Sequence, residues 1–452
     1  MKKLIMALSA LCMIPVTGSL NAEDEKKMHE ELIALAVQAT DNLAHKRYQS
    51  LIDAFDEKMR EALPGAKLET TWKALLAQAG EFSAVKDAQA QTKGIYTIVY
   101  LLAAFTKTDV TIRLVYNTER QIAGFSIQPA AMFPAGAYTP PAYVETQAFT
   151  ERDVTVGHGE WSLPGVLTLP KKTGRLPAVV LVHGSGPNDR DETIGPNRPF
   201  KDLAWGLASR GIAVVRYDKR TLVYGKQMAA QTAGITVKEE TIDDALAAVT
   251  LLRGRPEVDP RRIFIVGHSL GGMLAPRLAA GHPEIAGIVI MAGSARPLED
   301  LVVEQSAYLA GLDKSISDQE RQALDTIQRQ AARVKDPALS PDTPPAELPL
   351  GLPASYWLDL RAHPVTADAA RVTQPVLVLQ GGRDYQVTRE DFDLWKKLFS
   401  SKKNCVFKWY PELSHLFIAG HGTPSPDDYA QAGHVDETVV SDIASWIMAV
   451  SF

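Results

Sequence analysis

Eight short apolar runs decide what most of this chain can become: VTV (154–156), VLTL (166–169), AVVLV (178–182), IAVVRY (212–217), IFIV (263–266), IVIMA (288–292), VLVLQ (376–380) and VFKWY (406–410). From the third onward, amphipathic segments usually separate them. In one such segment, TIDDALAAVTLLRG, the residues Ile242, Ala245, Leu246, Val249 and Leu252 share one helical face. Strands that are apolar almost throughout leave no side for water, so helices must cover both faces of the sheet they form. Residues 144–452 are therefore expected to fold as an α/β unit: an eight-stranded, mostly parallel sheet with a helix after most strands. One separator is much longer than the rest. Residues 294–370 carry helical segments such as DQERQALDTIQRQAARVK and the proline-rich stretch SPDTPPAELPLGLP. A connection of that length inside a compact domain is usually functional, and a helical lid over a site is the expectation.

The chain before the sheet follows other patterns. Within residues 23–128, YQSLIDAFDEKMREAL places Leu51, Ile52, Phe55, Met59 and Leu63 on one helical face, and a shorter helix is expected around Trp72, Leu75 and Leu76. IYTIVYLLAAF, DVTIRLVY and RQIAGFSI then read as strands. Helices followed by successive strands predict a small α+β domain, its helices on one face of an antiparallel sheet. Residues 129–143, PAAMFPAGAYTPPAY, have the composition of an extended linker. Residues 1–22 combine Lys2 and Lys3, the apolar run LIMALSALCMIPV and a small-residue exit, the pattern of a secretory signal peptide cut after Ala22. That run is too short to span a bilayer. The expected destination is the periplasm or the extracellular medium, with no stable membrane insertion after cleavage. Cleavage removes Cys12 and leaves Cys405 alone, so no internal disulfide is expected and Cys405 reads as an inert core thiol. A net charge of −5 without a Lys/Arg cluster argues against a nucleic-acid partner.

Chemistry concentrates around GHSLG (267–271), which fits G-x-S-x-G between the strand IFIV and the helix LGGMLAPRLA. Gly267 and Gly271 remove side chains where strand and helix crowd, so Ser269 can sit on a strained turn with its hydroxyl exposed. The helix also aims its N-terminal dipole and free N–H groups at that point. A serine hydroxyl is a weak nucleophile and needs a base, an orienting acid and donors for the oxyanion. For this strand–turn–helix arrangement the chain order is serine, acid, histidine. Asp384 follows VLVLQ in GGRDYQV, and His415 follows VFKWY in PELSHLF. Both therefore stand at C-terminal strand ends, where an open α/β sheet assembles its site. Glu299 and Asp300 are rival acids and His421 a rival base, each farther from its strand end. His183 and His268 flank the motifs and are expected to serve structure. The run AVVLV leads into HGSGP, so the N–H groups of Ser185 and Leu270 are the expected oxyanion donors. Tyr308, Tyr356 and Trp357 in the long insertion, and Phe417 beyond His415, are candidate substrate-pocket walls, with lid core as the competing role of the first three. No His or Cys spacing suggests a metal, and no phosphate-cradling motif occurs, so no cofactor is expected.

Taken together, HGSGPNDRDETIGPNRPFKDLAWGLASRGIAVVRYDKRT, VDPRRIFIVGHSLGGMLAPRLA, YWLDL, PVLVLQGGRDYQV and YPELSHLF resemble secreted bacterial α/β-hydrolases of the dienelactone-hydrolase-like and cinnamoyl-type carboxylesterase group, which carry a small N-terminal domain of unknown function. The resemblance covers residues 143–452 well and 24–128 loosely. It implies an α/β-hydrolase fold and a serine carboxylesterase acting on small-molecule acyl esters, with Ser269, Asp384 and His415 as its triad. Dienelactone hydrolases proper use a cysteine nucleophile, so Ser269 departs from that activity. Relatives include peptidases, thioesterases and lactone-cleaving enzymes. A serine peptidase, amidase or acyltransferase on the same fold therefore stays open, as does, from another class, a non-catalytic binding protein. The N-terminal domain is read as an interaction module, with homodimerisation as its expected form.

Overall fold

The computed structural model describes residues 22–93, 95–130, 133–134, 138–230 and 234–450. The expected signal peptide therefore lies outside the described residues, apart from its last position. The chain divides into two compact units that meet between Pro134 and Ala135.

The first unit opens with helices α1 (Ala22–Ala44), α2 (Tyr48–Asp53), α3 (Glu57–Ala62) and α4 (Gly65–Ala79). Strands β1 (Phe82–Lys93), β2 (Tyr96–Phe105), β3 (Asp109–Tyr116) and β4 (Ile122–Pro129) follow. They pair antiparallel in the order β1-β2-β3-β4. Val99, Leu101 and Ala103 of β2, with Ile112 and Leu114 of β3, meet Leu32, Leu51, Leu68 and Trp72 from the helices, and Phe55 between α2 and α3, in one core. The single helix expected over 48–63 is in fact two. Between them Ala54 and Asp56 pair with Ile122: the Ile122 N–H donates to Ala54 O at 2.7 Å and the Asp56 N–H to Ile122 O at 3.0 Å. The Asp56 carboxylate then caps α3 by accepting the Met59 N–H at 2.7 Å. Apolar spacing continues across this break, which is why periodicity alone reads one helix.

The second unit carries all eight expected strands. They are β5 (Phe149–Val156), β6 (Leu163–Pro170), β7 (Leu176–Val182), β8 (Ala213–Tyr217), β9 (Val258–His268), β10 (Gly287–Met291), β11 (Val376–Gly381) and β12 (Cys405–Tyr410). Their spatial order is β12-β11-β10-β9-β7-β8-β6-β5. β5, β6 and β8 pair antiparallel and the remaining neighbours parallel. Along β7, Ala178, Val180 and Val182 enter one core while Val179 and Leu181 enter the other. The second of these cores is closed by α5 (Pro199–Ser209), and α6 (Arg220–Val223), α7 (Gly225–Ala229) and α8 (Asp243–Arg253) precede β9. After β9 comes α9 (Leu270–Ala279), which closes the first core together with α8. The insertion between β10 and β11 holds α10 (Leu298–Ala310), α11 (Asp318–Lys335), α12 (Ala354–Ala362) and α13 (Val365–Arg371). Helices α14 (Arg389–Leu398) and α15 (Glu437–Ala449) complete the two covering layers.

From β7 the chain steps to β8 on one side and then returns to β9 on the other. This reversal of strand order opens the crevice between the C-terminal ends of β7 and β9. Part of the expected linker belongs to this unit: the Tyr138 hydroxyl donates to Asp202 at 2.6 Å and the Tyr143 hydroxyl to Val435 O at 2.7 Å. Cys405 is half-buried and free, and burial pushes its thiol up to about 11. No helix among the described residues is long and apolar enough to cross a membrane.

Candidate active site

Ser269 connects β9 to α9 with φ 53° and ψ −115°. A non-glycine residue pays a steric cost at positive φ, so the conformation must be held by its surroundings. Two contacts do so: the Ser269 N–H donates to Met291 O, and its carbonyl accepts the Met273 N–H, both at 2.9 Å. The flanking glycines are required by space. A Cβ at Gly267 would overlap the Gly271 carbonyl, and one at Gly271 would overlap the Val182 carbonyl.

Asp384 lies beyond β11 and His415 beyond β12, both buried. His415 Nδ1 is 2.7 Å from Asp384 Oδ2. A carboxylate only accepts, so Nδ1 carries the proton and Nε2 is left bare for a donor. Three further N–H donors fix Asp384. Oδ1 accepts those of Gln386 and Val387 at 2.8 and 3.0 Å, and Oδ2 accepts one from the Gln380 side chain at 3.0 Å. The rival residues have other surroundings. Glu299 is buried in the first turn of α10, where burial raises its carboxyl pKa. Asp300 pairs with Lys335, and His421 is exposed. The His415 ring lies 4.8 Å from that of His268, the neighbour of Ser269. No hydrogen bond joins Ser269 Oγ to His415 Nε2; in unliganded sites this contact often tightens only with substrate.

The loop after β7 presses on the same point, since a Cβ at Gly184 would come within 3.1 Å of Ser269 Cβ. Its backbone is tied on both sides: the Gly184 N–H donates to Glu192 Oε1 at 2.7 Å, and its carbonyl accepts Lys219 Nζ at 2.8 Å. The Asn188 side chain donates to Ser185 O at 3.0 Å. Among the described residues, the N–H groups of Ser185 and Leu270 have no protein acceptor. Leu270 opens α9, so its N–H is one that the helix itself leaves unpaired. His183 Nε2 is bonded to Asp189 O at 3.0 Å, and burial holds its pKa down at about 4.

A cavity of about 660 Å³ opens beside Ser269. Its wall is mainly apolar and comes from Met273 of α9, Leu298, Leu301 and Val302 of α10, Met228 and Ile235 before β9, and Leu352. Of the four aromatic candidates only Tyr356 lines it, its hydroxyl donating to Glu240 at 2.7 Å. Trp357 and Phe417 are wholly buried in the two cores, and Tyr308 stacks on Tyr385 at 5.2 Å with its hydroxyl on Pro424 O. Aromatic size suggested a wall, but α10 lines the cavity through its aliphatic i, i+3, i+4 stripe, a signal legible in LEDLVVEQ. Among the described residues no group of His, Cys, Asp and Glu is arranged to hold a metal ion.

Residues 177–420 match the family described as serine aminopeptidase, S33, and residues 36–125 match a family of unknown function, DUF3887. The chain is similar to esterase EstD of Thermotoga maritima, 36% identical over 407 residues that cover 90% of this chain and 93% of the relative. Among solved structures it is similar to Est1E from Butyrivibrio proteoclasticus, 18% identical over 66% of this chain and 99% of that one, with a TM-score of 0.42. It is also similar to an acylaminoacyl peptidase of Pyrococcus horikoshii, 13% identical over 83% of this chain and 57% of that one, with a TM-score of 0.46. The chain thus belongs to the serine aminopeptidase S33 family of α/β-hydrolases, carries a DUF3887 domain at its N-terminal side, and is an esterase-type hydrolase.

Proposed function

We propose that the protein is an exported serine hydrolase of carboxylic esters that works through an acyl-enzyme. The observation that carries this reading is the 2.7 Å bond between His415 and Asp384, at the ends of neighbouring strands, with the His415 ring 4.8 Å from that of His268, which precedes a serine on a strained elbow. Ser269 Oγ attacks the ester carbonyl carbon while its proton passes to His415 Nε2. The carbonyl oxygen becomes an oxyanion held by the Ser185 and Leu270 N–H groups. Collapse of the tetrahedral intermediate breaks the C–O bond, and the leaving alkoxide takes the proton from His415 and departs as alcohol. A water then attacks the acyl-serine by the same route, releasing the carboxylic acid and restoring Ser269. Asp384 holds the imidazole in the tautomer this requires and stabilises the imidazolium that forms. The apolar cavity receives the acyl group.

The family description favours a second reading, hydrolysis of amides. Likeness to an esterase along nearly the whole chain supports the ester reading over it. Ser269→Ala is expected to lower turnover of p-nitrophenyl acetate by at least about 10⁴-fold without unfolding the protein. A folded variant that keeps its turnover would sink the mechanism, and peptide p-nitroanilides assayed alongside decide between ester and amide. Export is supported by the leader-like pattern of residues 1–22. N-terminal sequencing of the secreted fraction is expected to begin at Glu23, and a product that retains Met1 there contradicts it.

A further inference from the structure

Behind the loops that meet at Ser269 lies a second acid–histidine pair, which the triad does not use. Glu192 and His268 are 1% and 5% exposed. Glu192 Oε2 stands 2.9 Å from His268 Nδ1, within ion-pair distance though not aligned as a straight hydrogen bond. The other oxygen, Oε1, accepts the Gly184 N–H at 2.7 Å. His268 Nε2 lies 2.9 Å from the main-chain oxygen of His415. A carbonyl oxygen only accepts, so Nε2 carries a proton, and Nδ1 faces a carboxylate. One pair of side chains therefore reaches the loop after β7, the elbow after β9 and the loop after β12.

We propose that the Glu192–His268 pair is a positioning device for catalysis, fixing the Ser185 N–H donor and the His415 imidazole relative to Ser269. This inference rests on the serine mechanism above. Glu192 holds φ 50°, a left-handed conformation that a residue with a side chain keeps only when its contacts over-determine it. Burial alone raises a carboxyl and lowers an imidazole. Here attraction between the two, together with the Gly184 N–H on Glu192 and the His415 carbonyl on His268, outweighs it and leaves the Glu192 carboxyl lowered and the His268 imidazole raised. Other titratable or charged groups near the pair are His183 on the loop after β7, Lys219 after β8 with its Nζ on the Gly184 carbonyl, and Asp384 and His415 beyond β11 and β12. His183 stays neutral near pH 7, and the Phe200 ring of α5 packs at 6.5 Å from the His268 ring.

The pair holds while His268 is protonated on both nitrogens. When pH rises past its raised pKa, Nδ1 loses its proton and Glu192 becomes a buried charge without its partner. Turnover should then decline as the Gly184 loop loses its anchor. Glu192→Gln removes that titration, because the amide still accepts the Gly184 N–H and can donate to a neutral Nδ1.

The test measures kcat and KM for p-nitrophenyl butyrate from about pH 6 to about 9.5, with melting curves, on the mature wild type, Glu192→Ala, Glu192→Gln and Ser269→Ala. Glu192→Ala is expected to lose kcat on the order of 100-fold with KM changed by less than about threefold, because a misplaced donor acts in the transition state. Glu192→Gln is expected to recover kcat at pH 7 to within about tenfold of wild type and to lack the alkaline decline. A folded Glu192→Ala with wild-type kcat overturns the proposal, as does a Glu192→Gln pH profile that superimposes on wild type. Should Glu192→Ala fail to fold, the isosteric Gln variant decides alone. Turnover that survives in Ser269→Ala removes the serine mechanism itself, a failure distinct from a silent Glu192.

Discussion

Asp384 is held by four hydrogen bonds, two of them from the backbone N–H groups just beyond it. Such a carboxylate cannot rotate away from His415 without leaving buried donors unpaired, and each loss of that kind costs about 1–3 kcal/mol. Asp384→Asn places an amide where the carboxylate accepted Nδ1–H, which favours the wrong tautomer. A kcat loss on the order of 10⁴-fold is expected, while Glu299→Gln stays within a few-fold of wild type. Near-normal kinetics in Asp384→Asn would move the acid elsewhere. His183 invites a different measurement. Its pKa falls from about 6.5 unfolded to about 4 folded because burial disfavours the charged ring. Between those values the unfolded chain binds a proton that the folded one refuses. The resulting stability is complete above pH 6.5 and is lost as pH falls to 4, up to roughly 3 kcal/mol. His183→Gln keeps a donor for Asp189 O and lacks the titration, so its melting temperature should fall less steeply across that window. Parallel curves for the two proteins would place the acid sensitivity at other groups. The strand-end positions of Ser269, Asp384 and His415 were legible because each follows an apolar strand at a short, fixed offset. Glu192 and Gln380 were not, because what they do depends on contacts made only after β7, β9, β11 and β12 lie side by side.

At the level of elements, legibility follows how completely an element is buried. The inner strands β7, β8, β10 and β11 of the second sheet are buried on both faces, and even its edge strands β5 and β12 kept enough apolar residues to be visible. β1 is not: FSAVKDAQAQTK shows little β-branched or aromatic alternation, and it becomes a strand by pairing along β2 with two irregularities in register. The break between α2 and α3 is likewise imposed from outside, by the backbone of Ile122. The long insertion was visible as an interruption, and of its aromatic candidates Tyr356 lines the cavity, but the aliphatic stripe of α10 was not singled out. That role can be tested on α9 and α10. Met273 lies one turn beyond Ser269 and lines the cavity together with Leu301 and Val302. Met273→Trp fills space where a long acyl chain would extend, and the open cavity spares it much of the usual overpacking cost. The ratio of kcat/KM for p-nitrophenyl decanoate to that for the acetate should drop by about 10- to 100-fold. An unchanged ratio would mean that the acyl chain leaves Ser269 in another direction.

For the molecule as a whole, every residue assigned to the chemistry lies beyond Ala135, and the second unit has a core on each face of its sheet. The first unit has a separate core, built from its own four helices and four strands. Two units with separate cores are expected to fold separately, joined by a segment whose second half is tied to the hydrolase unit through Tyr138 and Tyr143. A chain that begins at Ala135 keeps that tie and the whole β12-to-β5 sheet. It should therefore melt in one cooperative transition and turn over p-nitrophenyl acetate within a few-fold of the full chain. Light scattering on both forms then reads the remaining role of the first unit, because a self-associating module lowers the mass of the truncated form by more than its own share. A truncated chain that melts cooperatively but has lost its turnover would mean that the hydrolase unit does not suffice for the chemistry.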